Sequence, residues 1–175
     1  ERHADLIGSL PDAATYAVTH EPTLQTVRDG VDAARAHRAD VVVGLGGGSV
    51  VDTAKAVAAL AVEGGDPLDH AEVIGRGVPI PATVLPLVAV PTTAGTGSEM
   101  SANAVVASPE HGVKVSLRST DMLAAVALVD PLLGRACDGL FRRSPRAVLG
   151  GGALAALLLA AGFAGLFFPQ ALVDP

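Results

Sequence analysis

The stretch VVVGLGGGSVVDTAK, Val41–Lys55, limits the folds open to this chain more than any other. The run Asp40–Leu45 is apolar and rich in β-branched residues, which predicts a strand buried on both faces. Three glycines and Ser49 follow, and then a helix is expected from about Val50 to Val62, apolar nearly all round. A buried strand that hands over to a buried helix through a turn without side chains is the opening of a strand–helix–strand unit. Ligands in sheets built from such units sit at the carboxyl ends of the strands.

The rest of the chain fits that frame. Thr15–Thr19 (TYAVT) reads as a short strand, Thr23 as a helix N-cap, and Leu24, Val27, Val31 and Ala34 fall at helical spacing. Glu63–Thr83 is rich in Gly and Pro and reads as a loop, and Val84–Pro91 as a second buried strand. Asn103–Ser108 and Val113–Leu117 flank the turn residues PEHG and predict a β-hairpin. Ala125–Asp130 is a further strand. Half of the 175 residues are apolar but only 3% are aromatic, so small side chains must fill the interior, as close strand–helix packing requires. The expected fold is α/β, with a largely parallel sheet flanked by helices.

The bulk charge removes one class of function. A formal net charge of -6, with no dense basic cluster before Arg142, Arg143 and Arg146, argues against a nucleic-acid surface. A single cysteine, Cys137, excludes an internal disulfide and a cysteine-based zinc site, and a reducing, cytoplasmic setting is expected. The first residues, ERHADLIGSLPD, have no apolar signal core and no initiator Met, so the chain is expected to begin inside a longer product.

Two turns carry the candidate chemistry. Gly46, Gly47 and Gly48 leave main-chain N–H groups open to a ligand, and the helix start behind them attracts anions through unpaired donors and the helix dipole. A diphosphate suits such a cradle. The same residues have a ligand-free reading, because Ser49-Val-Val-Asp52 matches a capping box with Asp in place of Glu. The second turn, Val90–Glu99 (VPTTAGTGSE), gathers Thr92, Thr93, Thr96, Ser98, Gly95 and Gly97 after another strand end. One ligand spanning both turns explains the pair better than two separate accidents.

GLGGGSVVDTAK together with LPLVAVPTTAGTGSE, followed in order by VKVSLRS and VALVDP, resembles the iron-containing (group III) alcohol dehydrogenase family over about residues 15–131. The resemblance implies a Rossmann-like, nicotinamide-cofactor-binding amino-terminal domain over 1–131, without its first strand, and a tail of uncertain structure over 132–175. It implies that Gly47, Gly48 and Ser49 hold the diphosphate of NAD or NADP, that Gly46 belongs to the same cofactor-binding turn, and that Asp52 braces the turn or reaches the cofactor. Thr92 and Thr93 would contact the adenosine side, Thr96 would lie near the cofactor's path, and Lys114 would approach the nicotinamide ribose. A solvated hairpin lysine is the plainer reading of Lys114, and Lys55 is expected to be a helix-end charge reaching solvent. The implied reaction is reversible oxidation of a small-molecule alcohol to a carbonyl compound, with a homodimer left open.

The chain also departs from the family. Glu21-Pro22-Thr23 stands where Asn-Pro-Thr is frequent. The family's divalent metal, iron or zinc, is held by one Asp and three His after the VDP strand, whereas all five histidines here (His3, His20, His37, His70 and His111) precede Pro131. Asp66 and His70 have the spacing of a helical metal pair but enclose Pro67 in an expected loop, and His111 falls at the hairpin tip, exposed. No catalytic or metal residue is therefore assigned. Residues 147–168 carry no charge and follow three arginines, the flanks of a membrane span, although glycine and alanine weaken that reading. ALVDP occurs at 127–131 and again at 171–175, which points to a rearranged tail; a packed apolar helix is the alternative. The rival to a dehydrogenase half is a noncatalytic nucleotide-binding module, membrane-attached through 147–168 in one version.

Overall fold

The computed structural model describes residues 12–131 and 133. The chain divides into two compact units, Glu1–Gly134 and Arg135–Pro175, and every element below belongs to the first. Expectations for residues 1–11 and for the uncharged run 147–168 lie outside the described residues.

Helix α1 spans Leu24–His37. Thr23 starts it through a reciprocal cap: the Thr26 N–H donates to Thr23 Oγ1 at 3.1 Å, and the Thr23 N–H donates to Thr26 Oγ1 at 3.2 Å. Arg38 ends it in the left-handed region with φ 55°. Strand β1 is Val42–Gly46, helix α2 Gly48–Leu60, and a short helix α3 Pro67–His70. Strand β2 follows at Leu87–Pro91, β3 at Asn103–Ser108, β4 at Val113–Arg118 and β5 at Val126–Ala127.

The strands form two sheets. Three are parallel in the order β1-β2-β5, with Val42 opposite Leu87 and Gly46 opposite Pro91. The other two, β3 and β4, pair antiparallel as the expected hairpin, Asn103 opposite Arg118 and Ser108 opposite Val113. Helix α2 lies between neighbours on two sides, which is why its sequence is apolar nearly all round. Ala54 and Ala58 pack toward Leu87 of the parallel sheet. Val57 and Leu60 join Val27 and Val31 of α1 and Val106, Val115 and Leu117 of the hairpin in the main core. Fully burying each such Val or Leu stabilises by about 1.5–3 kcal/mol.

Four expectations change in detail. Thr15–Thr19 forms no strand; the Tyr16 hydroxyl instead donates to the Thr26 carbonyl at 2.9 Å, tying the segment to α1 by a side chain. The second strand begins at Leu87 rather than Val84, because Pro86 has no N–H to give a ladder and contributes only its carbonyl, which accepts from Val42 at 2.9 Å. The loop after α2 contains α3, which Asp66 caps through Leu68 N–H at 2.8 Å with Pro67 in the first turn. The last strand keeps only Val126–Ala127 in regular pairing.

Candidate functional site

Parallel pairing sets the two loops beside each other. Because Gly46 sits opposite Pro91, the chain leaves β1 and β2 at the same level of the sheet, and Thr92 N–H donates to Gly46 O at 2.8 Å across the junction. The glycines then serve different ends. A Cβ on Gly46 would lie 2.6 Å from a methyl of Val50, so that glycine lets the helix fold back on its own strand. A Cβ on Gly47 would stand 3.2 Å from Thr93 Oγ1, and one on Gly48 3.4 Å from Thr96 and from Ser98 Oγ. Gly47 and Gly48 therefore lie close against the hydroxyls of the second loop, where a side chain would crowd Thr93, Thr96 and Ser98. Gly95 and Gly97 hold φ of 88° and 68°, where a Cβ is strained, and Gly97 turns the chain into a 3-10 turn at Ser98–Met100.

The helix start departs from the expected cap. Gly47, not Ser49, is the N-cap of α2, and no side chain bonds to this end. Val50 and Val51 N–H groups donate to Gly47 O at 3.0 and 3.1 Å, which leaves those of Gly48 and Ser49 without an acceptor inside the helix. Ser49 is exposed at this mouth. A helix start with bare donors, no side-chain cap and a facing row of hydroxyls suits an anion.

Asp52 lies one turn further on and points away from the mouth. Its Oδ2 accepts from Val105 N–H of β3 at 3.1 Å, and its Oδ1 pairs with Lys55 Nζ at 3.2 Å. Lys55 overturns its expectation. It is mid-helix and 1% exposed, and it donates to Ser101 O at 3.2 Å, Ser101 Oγ at 3.0 Å and Asn103 O. Burial pushes its pKa down, against the opposing pull of Asp52 and then Glu99. The signal was present in the sequence: a lone cation on a helix buried all round has no path to water. Ser98, named in the sequence only as one hydroxyl among several of the second turn, lies against Gly48. Lys114 is exposed and ion-paired with Glu21, so the residue that departs from Asn-Pro-Thr meets the lysine directly.

Among the described residues no group of three or more His, Cys, Asp or Glu is placed to hold a metal. Asp66 caps α3 and pairs with Arg28 at 2.8 Å, and His70 Nδ1 lies 3.0 Å from the Val78 carbonyl. His111 is exposed at the hairpin turn, 2.8 Å from Ser108 Oγ. The described residues thus do not fit the divalent metal that the resemblance implied. Among them, no helix is long and apolar enough to cross a membrane.

A family model described as iron-containing alcohol dehydrogenase matches residues 6–131. The chain belongs to that family. It is 40% identical over 114 residues to the mitochondrial hydroxyacid-oxoacid transhydrogenase of Caenorhabditis elegans, covering 64% of this chain and 24% of that protein. It is 34% identical over 116 residues to a 1-propanol dehydrogenase of Citrobacter freundii, covering 66% and 27%. The structure of sulfoacetaldehyde reductase from Bifidobacterium kashiwanohense in complex with NAD+ superposes with a TM-score of 0.61 at 33% identity, covering 66% of this chain and 30% of that one. An NADH-dependent butanol dehydrogenase from Thermotoga maritima gives 0.62 at 36%, covering 69% and 29%. The chain thus spans about a quarter of the length of the curated relatives.

Proposed function

We propose that this domain binds a nicotinamide dinucleotide, NAD or NADP, and serves the cofactor-binding half of an alcohol dehydrogenase or carbonyl reductase. The observation that carries the proposal is the close facing of Gly47 with Thr93 and of Gly48 with Thr96 and Ser98. In this reading the N–H groups of Gly48 and Ser49 donate to the diphosphate, and Gly47 keeps the approach open. Gly46 sets the angle of the helix behind it. Thr92 and Thr93 meet the adenosine side, Thr96 lies near the path of the cofactor, and Asp52 braces α2 against β3. Lys114 reaches the nicotinamide ribose by exchanging Glu21 for it. The bound nicotinamide would supply hydride acceptance and donation. The chain's own residues bind and orient it, and they contribute no metal ligand among those described.

The substrate class is a small alcohol or the matching carbonyl compound, in keeping with the family. A single cysteine suits a reducing cytoplasm. The test is fluorescence titration with NADH and NADPH, with and without iron or zinc. Saturable binding of either supports the reading, and no binding of either refutes it. Turnover that requires added metal would reveal ligands outside the described residues.

A further inference from the structure

Lys55 is the buried charge that nucleotide binding leaves without a task. Its side chain is 0% exposed, and that of Asp52 is 14%. An ammonium has three protons, and four oxygens share them: Ser101 O at 3.2 Å, Ser101 Oγ at 3.0 Å, Asn103 O and Asp52 Oδ1 at 3.2 Å. Three of these acceptors belong to residues 101–103, the exit of the hydroxyl-bearing loop. The fourth, Asp52, holds β3 through Val105 N–H at 3.1 Å. A relay then runs back toward the mouth. Ser101 Oγ accepts from Lys55 and donates to Ser98 O at 3.4 Å, and Ser98 Oγ lies 3.4 Å from the Cβ position of Gly48. Glu99 adds a second carboxylate nearby, one of whose oxygens is buried without a partner. An interior cation with two carboxylates is costly to keep unless its geometry is used.

We infer that Lys55, paired with Asp52, is a positioning residue for the cradle: it clamps residues 98–103 onto α2 and so fixes the gap between Gly47–Gly48 and Thr93–Thr96. The inference rests on the nucleotide reading above for its effect on binding, but not for its effect on the loop. The clamp touches no ligand itself. Its removal should loosen the second loop and weaken any ligand that must touch both loops at once.

The test uses the full chain in five forms: wild type, Lys55→Met, the charge-neutral double variant Asp52→Asn/Lys55→Met, Ser101→Ala, and Lys55→Arg. Amide hydrogen exchange is followed in the ligand-free protein, and NADH affinity by fluorescence, at a temperature where circular dichroism finds each form folded. In the double variant, exchange at residues 93–101 should rise about tenfold while β1 and α1 stay protected, and NADH should bind about tenfold more weakly. Ser101→Ala should move both readouts the same way by less, and it serves alone where the lysine variants do not fold. Lys55→Arg should recover part of what Lys55→Met loses. Unchanged exchange at 93–101 overturns the clamp. A lowered melting temperature with NADH affinity within about twofold of wild type makes Lys55 a stability element only, and overturns its positioning role. If wild type binds no NADH, the nucleotide reading falls, and the exchange data by themselves support or overturn the clamp.

Discussion

Replacing Gly47 with valine should separate binding from folding. Gly47 has φ -75° and ψ -175°, which an L-residue adopts without strain, so backbone cost is small. Its Cβ would stand 3.2 Å from Thr93 Oγ1 and 3.8 Å from Thr93 Cβ, a tight but single contact at a half-buried position. Overpacking of this kind costs about 1 kcal/mol, or roughly 2–4 °C in melting temperature for a chain of this length. On the proposed reading the effect on ligand is larger, because the two γ-methyls would occupy space that the diphosphate needs beside the Gly48 and Ser49 N–H groups. Losing two charge-assisted main-chain hydrogen bonds, at about 1.5–3 kcal/mol each, predicts at least ~100-fold weaker NADH binding. Alanine at the same position should fall between. The assay pairs a thermal melt with NADH fluorescence titration on the same samples. Valine with wild-type affinity would refute the placement of the diphosphate at this turn. A collapse of the melting temperature would refute the claim that the gap is kept open for a ligand rather than for packing.

Other outcomes follow from the same contacts. Leu117 is fully buried in the main core, and Leu117→Ala should cost about 2–5 kcal/mol in urea unfolding; a loss under ~1 kcal/mol would mean the hairpin is not packed as described. The Arg28 guanidinium, through its hydrogen bond, holds the Asp66 carboxyl below its ordinary 3.8. A depressed carboxyl pKa adds stability above 3.8 that is lost as pH falls through the folded value. Arg28→Gln should therefore be less stable than wild type at pH 7, by at most ~1 kcal/mol for so exposed a pair, and the two should converge as pH is taken well below 3.8. A gap of equal size at both pH values would exclude Asp66 as its source. Lys114 and Glu21 are both more than half exposed, so Lys114→Ala should leave the melting temperature unchanged while weakening NADH several-fold, roughly 1 kcal/mol. Unaltered affinity would return Lys114 to the solvated hairpin lysine.

The frame was legible because its signals are local and strong. β-Branched runs, a glycine turn and an apolar helix fix β1, α2 and β2, and the PEHG turn fixes the hairpin, all from short windows. The cap at Thr23 was equally plain, since its partners lie within one turn. What escaped was set by distant contacts. Lys55 is held by residues 46 and 48 positions away, and no window around it contains Ser101 or Asn103. Thr15–Thr19 has the composition of a strand, but composition names no partner, and the segment pairs with none here. Ser49 and Asp52 match a capping motif, yet Asp52 turns to β3, where Val105 offers an N–H and Lys55 an opposite charge. The division of labour among the three glycines was likewise invisible until Val50, Thr93 and Thr96 had positions.

The paired ladder from Val42–Leu87 to Gly46–Pro91 has a consequence for how such a domain can change. Both rims of the cleft are carried by neighbouring rails, so a slip of one step would carry Thr93 about 3.3 Å past Gly47 and turn every side chain of that strand to the opposite face. Strand register thus sets the coarse spacing of the two loops, and contacts within the loops adjust it only finely. Substitutions in Leu87–Ala89, remote from the loops themselves, can therefore also disturb the site by shifting that register.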